Sequence, residues 1–169
     1  MEDERRRIVV MGVSAAGKTT VGLALAAELG CPFADADDLH PAANLSKMAA
    51  GVPLDDEDRW PWLSAVGRTL AGADAIVVAC SALRRVYRDR IRESAPDAFF
   101  VFLDGDAAVL HARIAARIGH FMPPALLDSQ LALLEPLQSD EVGARIYVDG
   151  TPQEVEAAAI AAVRGGPQP

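Results

Sequence analysis

The sequence predicts an α/β fold: a five-stranded parallel sheet with helices on both faces, three layers in all. Three observations predict it. Five short apolar runs, at residues 7–11, 32–34, 75–79, 99–103 and 145–148, recur along the 169 residues. Stretches with helical spacing, rather than hairpin turns, separate each run from the next. The longer runs are apolar throughout instead of alternating, which marks strands buried on both faces.

The elements follow in order. The first strand, Arg7–Met11, enters Gly12-Val13-Ser14-Ala15-Ala16-Gly17-Lys18-Thr19, and an alanine-rich helix over Lys18–Leu29 ends with Gly30 at its C-cap. A short strand at 32–34 ends in Asp35-Ala36-Asp37-Asp38. His40-Pro41 opens a short helix to Ala49, stopped by Gly51 and Pro53. A helix runs from Arg59-Trp60-Pro61-Trp62 to Leu70, with Asp55-Asp56-Glu57-Asp58 at its N-terminal end, where the dipole favours acids. Then come a strand at 75–79, a basic helix at 84–93, a strand at 99–103 and a helix at 107–118. Gly119 and Pro123-Pro124 break that helix, and another continues to Leu134. A strand at 145–148 and a helix at 153–163, capped by Gly165, complete a single domain over 1–169, with a loose tail at 165–169.

Strand, tight loop and helix are the context in which G-x-x-x-x-G-K-[ST] is a phosphate-binding P-loop. Gly12, Ser14, Ala15, Ala16, Gly17 and Thr20 build the cradle around the phosphates at the positive end of the helix. Lys18 reaches the β- and γ-phosphates, and the Thr19 hydroxyl ligates Mg²⁺. Ala15 stands where many relatives have glycine, which narrows the loop's backbone freedom without removing a phosphate ligand.

A formal charge of −8 and a pI near 4.8 disfavour a nucleic-acid or anionic-membrane partner. Cys31 and Cys80 form no C-x-x-C, so reduced thiols and a cytoplasmic location are expected. Arg5-Arg6-Arg7 before a four-residue apolar run only imitates a signal peptide, and nothing approaches a transmembrane length.

In such sheets the ligand lies beyond the carboxyl ends of the strands. The polar clusters at 35–40, 80–84 and 104–106 all follow strands and are expected to converge beside the P-loop. Asp35 and Asp37 alternate along an extended segment, so both carboxylates are expected to face the cleft, Asp35 toward Mg²⁺ and Asp37 toward an incoming hydroxyl. A solvated acidic turn is the competing reading. A GTPase is disfavoured by the lack of Asn-Lys-x-Asp, and a motor or transporter ATPase by the short chain.

Asp35-Ala36-Asp37-Asp38-Leu39-His40-Pro41, with Asn44 and Lys47-Met48, resembles the gluconokinase family of small P-loop carbohydrate kinases. The resemblance continues through residues 51–63 (Gly-Val-Pro-Leu-Asp-Asp-Glu-Asp-Arg-Trp-Pro-Trp-Leu), Cys80-Ser81-Ala82-Leu83-Arg84-Arg85-Val86-Tyr87-Arg88, Gly119-His120-Phe121-Met122-Pro123 and Ser129-Gln130. Shikimate kinases share the P-loop and Asp-x-Asp, but Cys80-Ser81-Ala82 replaces the Gly-Gly-Gly expected of them. The resemblance implies a three-layer P-loop kinase fold with a lid at about 119–127. It implies ATP- and Mg²⁺-dependent phosphorylation of the 6-hydroxyl of D-gluconate, within gluconate catabolism feeding the pentose phosphate pathway, and a homodimer. A kinase of another small polyol acid and an inactive nucleotide-sensing protein are the alternatives.

An open-chain polyol acid requires many hydrogen-bonding groups and a cation for its carboxylate. Asp37, His40, Arg59, Arg84, His120 and Gln130 are the expected acceptor-binding residues. For Arg59 and Arg84 a surface salt bridge with Asp58 or Asp89 competes, and for His40 a hydrogen bond that fixes the turn. Trp60 and Trp62 are expected to pack, Cys80 to be buried at a strand end, and Arg85, Arg88, Arg90 and Arg92 to be exposed. Arg113 and Arg117 lie at i and i+4, on one helical face before the breaks. Their spacing resembles the lid-base arginines of nucleoside monophosphate kinases, which implies that Arg113 packs on adenine and Arg117 reaches the phosphates. Lys18, Asp37 and Arg117 are the expected catalytic residues.

Overall fold

The computed structural model describes residues 6–117 and 123–165. Five parallel strands, β1 (Arg7–Met11), β2 (Phe33–Asp35), β3 (Ile76–Ala79), β4 (Phe99–Asp104) and β5 (Gly143–Tyr147), form one sheet in the order β2-β3-β1-β4-β5. Alternate residues supply the two faces. Ile8 and Val10 of β1, with Phe99, Val101 and Leu103 of β4, join one buried cluster; Val9, Met11, Phe100 and Phe102 join the other. Nothing polar interrupts these central strands, so the expected helix-covered sheet on both faces is what forms.

Against the first face pack helices α1 (Lys18–Leu29), α5 (Ala107–Ala116), α6 (Pro124–Leu133) and α7 (Pro152–Val163). Against the second pack α3 (Asp56–Ala71) and α4 (Arg85–Ser94) through Trp62, Leu63, Val66, Leu70, Tyr87 and Ile91. The short α2 (Ala42–Ala49) follows a single 3₁₀ turn, Ala36–Leu39, and buries only Asn44. Among the described residues no helix is long and apolar enough to cross a membrane.

Three differences from the sequence reading have local causes. α3 begins at Asp56 rather than Arg59, because Asp55 and Asp58 form a reciprocal capping box. That box is worth about 1 kcal/mol and fixes the start of the helix at Asp56, so that Pro61 lies inside it rather than at its first position. α5 stops at Ala116: Arg117 is its C-cap, with φ −70° and ψ 123°, and its N–H donates to Ile114 O at 3.2 Å. Pro124–Leu127, assigned to a lid, are instead the first turn of α6, with Leu127 buried in the core. Residues 119–122 of that segment, His120 among them, lie outside the described residues, as does the tail beyond Gly165.

Candidate active site

The P-loop joins β1 to α1 through left-handed positions at Ala15 and Gly17, the latter with φ 98°, and a close approach at Gly12. Gly12 has φ +150°, and a Cβ there would sit 2.9 Å from Leu103 O. Ala15 adopts φ 67°, the backbone region a glycine would occupy without strain. The sequence reading of Ala15 as a restriction is thus a strained residue, at a cost of about 1–2 kcal/mol. The N–H groups of Ala15, Gly17, Lys18 and Thr19 have no hydrogen-bond partner among the described residues. Together with the start of α1 they form a cradle of donors suited to an anion. Lys18 Nζ donates to Val13 O at 3.0 Å. Burial pushes the Lys18 ammonium down, Asp37, Cys80 and Asp35 pull it up, and Arg117 pushes it down.

Those interactions bring together residues from the ends of β1, β2 and β3, with Arg117 at the end of α5. Gly12 N donates to Ser81 O at 3.2 Å, tying the P-loop to the segment after β3. Cys80 is buried there, which drives its thiol up to about 12 and makes it a packing group. Arg113 donates to Ala15 O at 3.4 Å and to Val148 O, bracing the P-loop against the end of β5. Gln130 reaches the P-loop: its Oε1 accepts from Ser14 N at 2.8 Å. It was expected among the acceptor groups, and the structure gives it a contact on the donor side.

Asp35 and Asp37 both lie close enough to Lys18 to pull it up, but a strand pleat does not place them there. β2 ends at Asp35, which caps the 3₁₀ turn by accepting from Asp37 N at 2.9 Å. Asp37 is therefore carried on a tight turn whose first residue is pinned by Trp62, which donates from Nε1 to Ala36 O at 2.6 Å. Burial raises the Asp37 carboxyl, Asp35 adds to the rise, and His40 and Lys18 oppose it. A carboxylate made more basic in this way suits accepting a proton. The same Trp62 stacks on His40, with ring centroids 4.2 Å apart and planes at 14°. Trp62 therefore packs, as expected, and in doing so sets both Asp37 and His40.

Arg59 and Arg84 meet around one acid and one ring. Arg59 Nη1 donates to Tyr87 Oη at 3.1 Å and lies 3.4 Å from Asp56 Oδ1. Arg84 Nη1 donates to Asp56 Oδ2 at 3.1 Å, and its Nε lies 3.6 Å from Glu135 Oε1. Tyr87 Oη donates to Asp56 Oδ1 at 2.6 Å, and both guanidinium carbons lie 5.5 Å from the Tyr87 ring centre. The acid partner is Asp56, not Asp58 or Asp89. The Tyr87 hydroxyl, then Arg84 and Arg59, hold the Asp56 carboxyl below its usual range. Asp58 instead holds Lys47 of α2, at 2.8 and 2.7 Å.

Sequence reasoning missed the support beneath this cluster. Arg88, expected at the surface, is completely buried. It pairs with Glu141 at 2.7 and 2.9 Å and donates to Ala82 O at 3.0 Å. Ala82 itself has φ 43°, so the turn between Cys80 and Arg84 is held in a left-handed conformation. Burial would raise the Glu141 carboxyl, but Arg88, Gln138 N–H and Arg92 outweigh it and bring it to about 2. The third polar cluster does not join the cleft. Asp104 accepts from Arg145 Nε at 2.7 Å on the neighbouring strand, and Asp106 caps α5.

The chain has clear relatives. The family model described as shikimate kinase matches residues 14–141. The thermosensitive gluconokinase of Escherichia coli K12 is 46% identical over 137 residues, 79% of this chain and 73% of that protein. The probable gluconokinase of Mus musculus is 40% identical over 93% of this chain and 97% of its own. The crystal structure of a gluconokinase from Sinorhizobium meliloti 1021 superposes with a TM-score of 0.88 at 47% identity, covering 95% of this chain and 92% of that one. The shikimate-kinase match reflects the shared scaffold, while Cys80-Ser81-Ala82 and the identities distinguish the branch. The protein is a kinase that belongs to the gluconokinase family, on the shikimate-kinase type of P-loop scaffold.

Proposed function

We propose that the protein transfers the γ-phosphoryl group of ATP to the 6-hydroxyl of D-gluconate, giving 6-phosphogluconate and ADP. One observation carries the assignment: charged and polar groups near enough to act on one another line the way from the phosphate cradle to an arginine pair. Lys18 acts on Asp37, Asp37 on His40, His40 on Arg59, and Arg59 shares Asp56 with Arg84. A phosphate site, a basic carboxylate and a carboxylate-binding cation pair in that order match the two ends of an aldonate. Asp37 orients the terminal hydroxyl and receives its proton late, as a loose phosphoryl-transfer transition state requires. Arg59 and Arg84 hold the carboxylate, Arg117 neutralises charge on the transferred group, and Arg113 sits at the adenine side.

The donor set suits Mg²⁺, which takes one or two protein oxygens along with substrate phosphates and water. Thr19 is exposed at the start of α1, and Asp35 spends only Oδ1 on the Asp37 amide. Thr19 and Asp35 would hold the ion, which would supply charge neutralisation for the phosphates. The family resemblance supports a homodimer, testable by light scattering. The unpaired Cys31 and Cys80 support a cytoplasmic location.

Coupled ADP release tests the activity. Gluconate should stimulate it strongly, and glucitol, which lacks the carboxylate, should be poorer in kcat/KM by about a hundredfold, the scale of leaving a binding charge unpaired. Absence of gluconate-dependent ADP release, or equal use of glucitol, would overturn the assignment.

A further inference from the structure

Asn44 is the one residue that α2 buries, and its amide faces two fixed partners. Nδ2 lies 2.9 Å from Asp58 O and 3.2 Å from His40 Nδ1. A backbone carbonyl can only accept, so the amino group must be the end of the amide that faces Asp58. Turning the amide over would set two oxygens against each other. With one N–H on Asp58 O, the other N–H points at His40 Nδ1, which must therefore accept. An imidazole that accepts at Nδ1 carries its proton on Nε2.

We propose that Asn44 is a positioning residue that locks His40 as the neutral Nε2–H tautomer, so that His40 meets the acceptor only as a hydrogen-bond donor. The proposal rests on the reading of this cleft as the acceptor site. Protonating Nδ1 would set two donors against each other and forfeit the Asn44 bond. Turning the ring over would keep its stack on the buried Trp62 but would set a carbon in place of Nδ1, which forfeits the Asn44 bond as well. The surroundings agree: burial pushes the imidazolium down, Asp37 opposes this, and Arg59 adds to it. A histidine with its ordinary value would compete for the hydroxyl proton near neutral pH. Locked, it gives a hydrogen bond to a substrate hydroxyl oxygen and leaves the proton to a carboxylate. The ligand class this selects is a polyol with a hydroxyl oxygen free to accept beside the reacting end.

The tautomer is read directly from two-bond ¹H–¹⁵N correlations of the imidazoles in the ligand-free protein between about pH 5 and 8, with His40→Asn assigning the signals. The expected result is Nε2–H with Nδ1 unprotonated in the neutral form of His40, and protonation at lower pH than an ordinary histidine. In Asn44→Asp a carboxylate accepts from Nδ1–H instead, so the proton should move to Nδ1 and the ring should titrate at higher pH. The same variant should lose about tenfold or more in kcat/KM for gluconate, the scale of one hydrogen bond. Its pH profile should shift, while the KM for ATP stays within about threefold. Asn44→Ala should show both tautomers, and it serves if the charged variant does not fold. Nδ1–H in the neutral ring of the unsubstituted protein overturns the proposal, as does a tautomer and pH profile unmoved by folded Asn44 variants. Because the tautomer is read without substrate, a wild-type protein inactive on gluconate would overturn the proposed function and leave the Asn44–His40 lock standing.

Discussion

On the donor side of the cleft the proposed binding groups are built around main-chain atoms: the amides of Ala15, Gly17, Lys18 and Thr19, unpartnered among the described residues and shaped by Gly12 and a strained Ala15, with the Lys18 side chain beside them. On the acceptor side they are side chains, each held by other side chains. Arg59 and Arg84 hang on Asp56 and Tyr87, His40 on Asn44 and Trp62, and the turn before Arg84 on buried Arg88. The difference follows from what each side must recognise. Phosphates are alike in every nucleotide, so a fixed loop serves all of them. A particular polyol acid requires directed donors, acceptors and cations, which only side chains supply.

The largest effect should come where the halves meet. Asp37→Asn keeps size but removes charge and basicity, and kcat should fall by ~10²–10⁴-fold, the range for a general base. Calorimetric ATP affinity should hardly change. A kcat within a few-fold of normal would reduce Asp37 to a structural carboxylate.

Next in size is the acceptor side's foundation. Glu141→Ala leaves Arg88 buried without its partner, and urea denaturation should show a loss of about 3–5 kcal/mol. The pH dependence has a definite sign. Glu141 has a folded value of about 2 against its usual 4.5, so its stabilisation is complete above pH 4.5 and is lost as pH falls through about 2. A change under about 1 kcal/mol would mean that the pair is replaceable by water.

On the donor side, Lys18→Ala should lower kcat by at least about a hundredfold, as expected for lost charge stabilisation in the transition state, with the gluconate KM little altered. Normal turnover in a folded variant would sink the P-loop assignment. The smallest effect is at Ala15. Ala15→Gly relieves the left-handed strain but frees the unfolded chain, so thermal denaturation should register a net change within about 1 kcal/mol. A larger loss would show that the buried Ala15 methyl outweighs the strain.

The same contrast decides what the sequence could reveal. The donor half was legible because its parts are contiguous: a strand, an eight-residue motif and a helix fixed β1, α1 and Gly30 to the residue. Asp35 and Asp37 were found by proximity, yet the pleat argument for them failed. The chain leaves β2 at Asp35 for a 3₁₀ turn that Trp62 pins from another helix. Arg88 reads as one more arginine on a charged helix, because its partner Glu141 lies 53 residues away and no local pattern marks the pair. Asp56 sat unremarked in an acidic run, since only the folded chain brings Tyr87 to it across 31 residues. Arg117 was placed on a helix face by spacing alone, and the helix ends one residue before it.

The central claim is that the arginine pair, and not the phosphate cradle, reads the substrate's carboxylate. Steady-state kinetics of Arg84→Ala, with gluconate, glucitol and ATP each varied, test it most directly. The account predicts a rise in the gluconate KM of about tenfold to a hundredfold and loss of most of the preference over glucitol. The KM for ATP should stay within about threefold. An unchanged gluconate preference, or a defect confined to ATP, would contradict it.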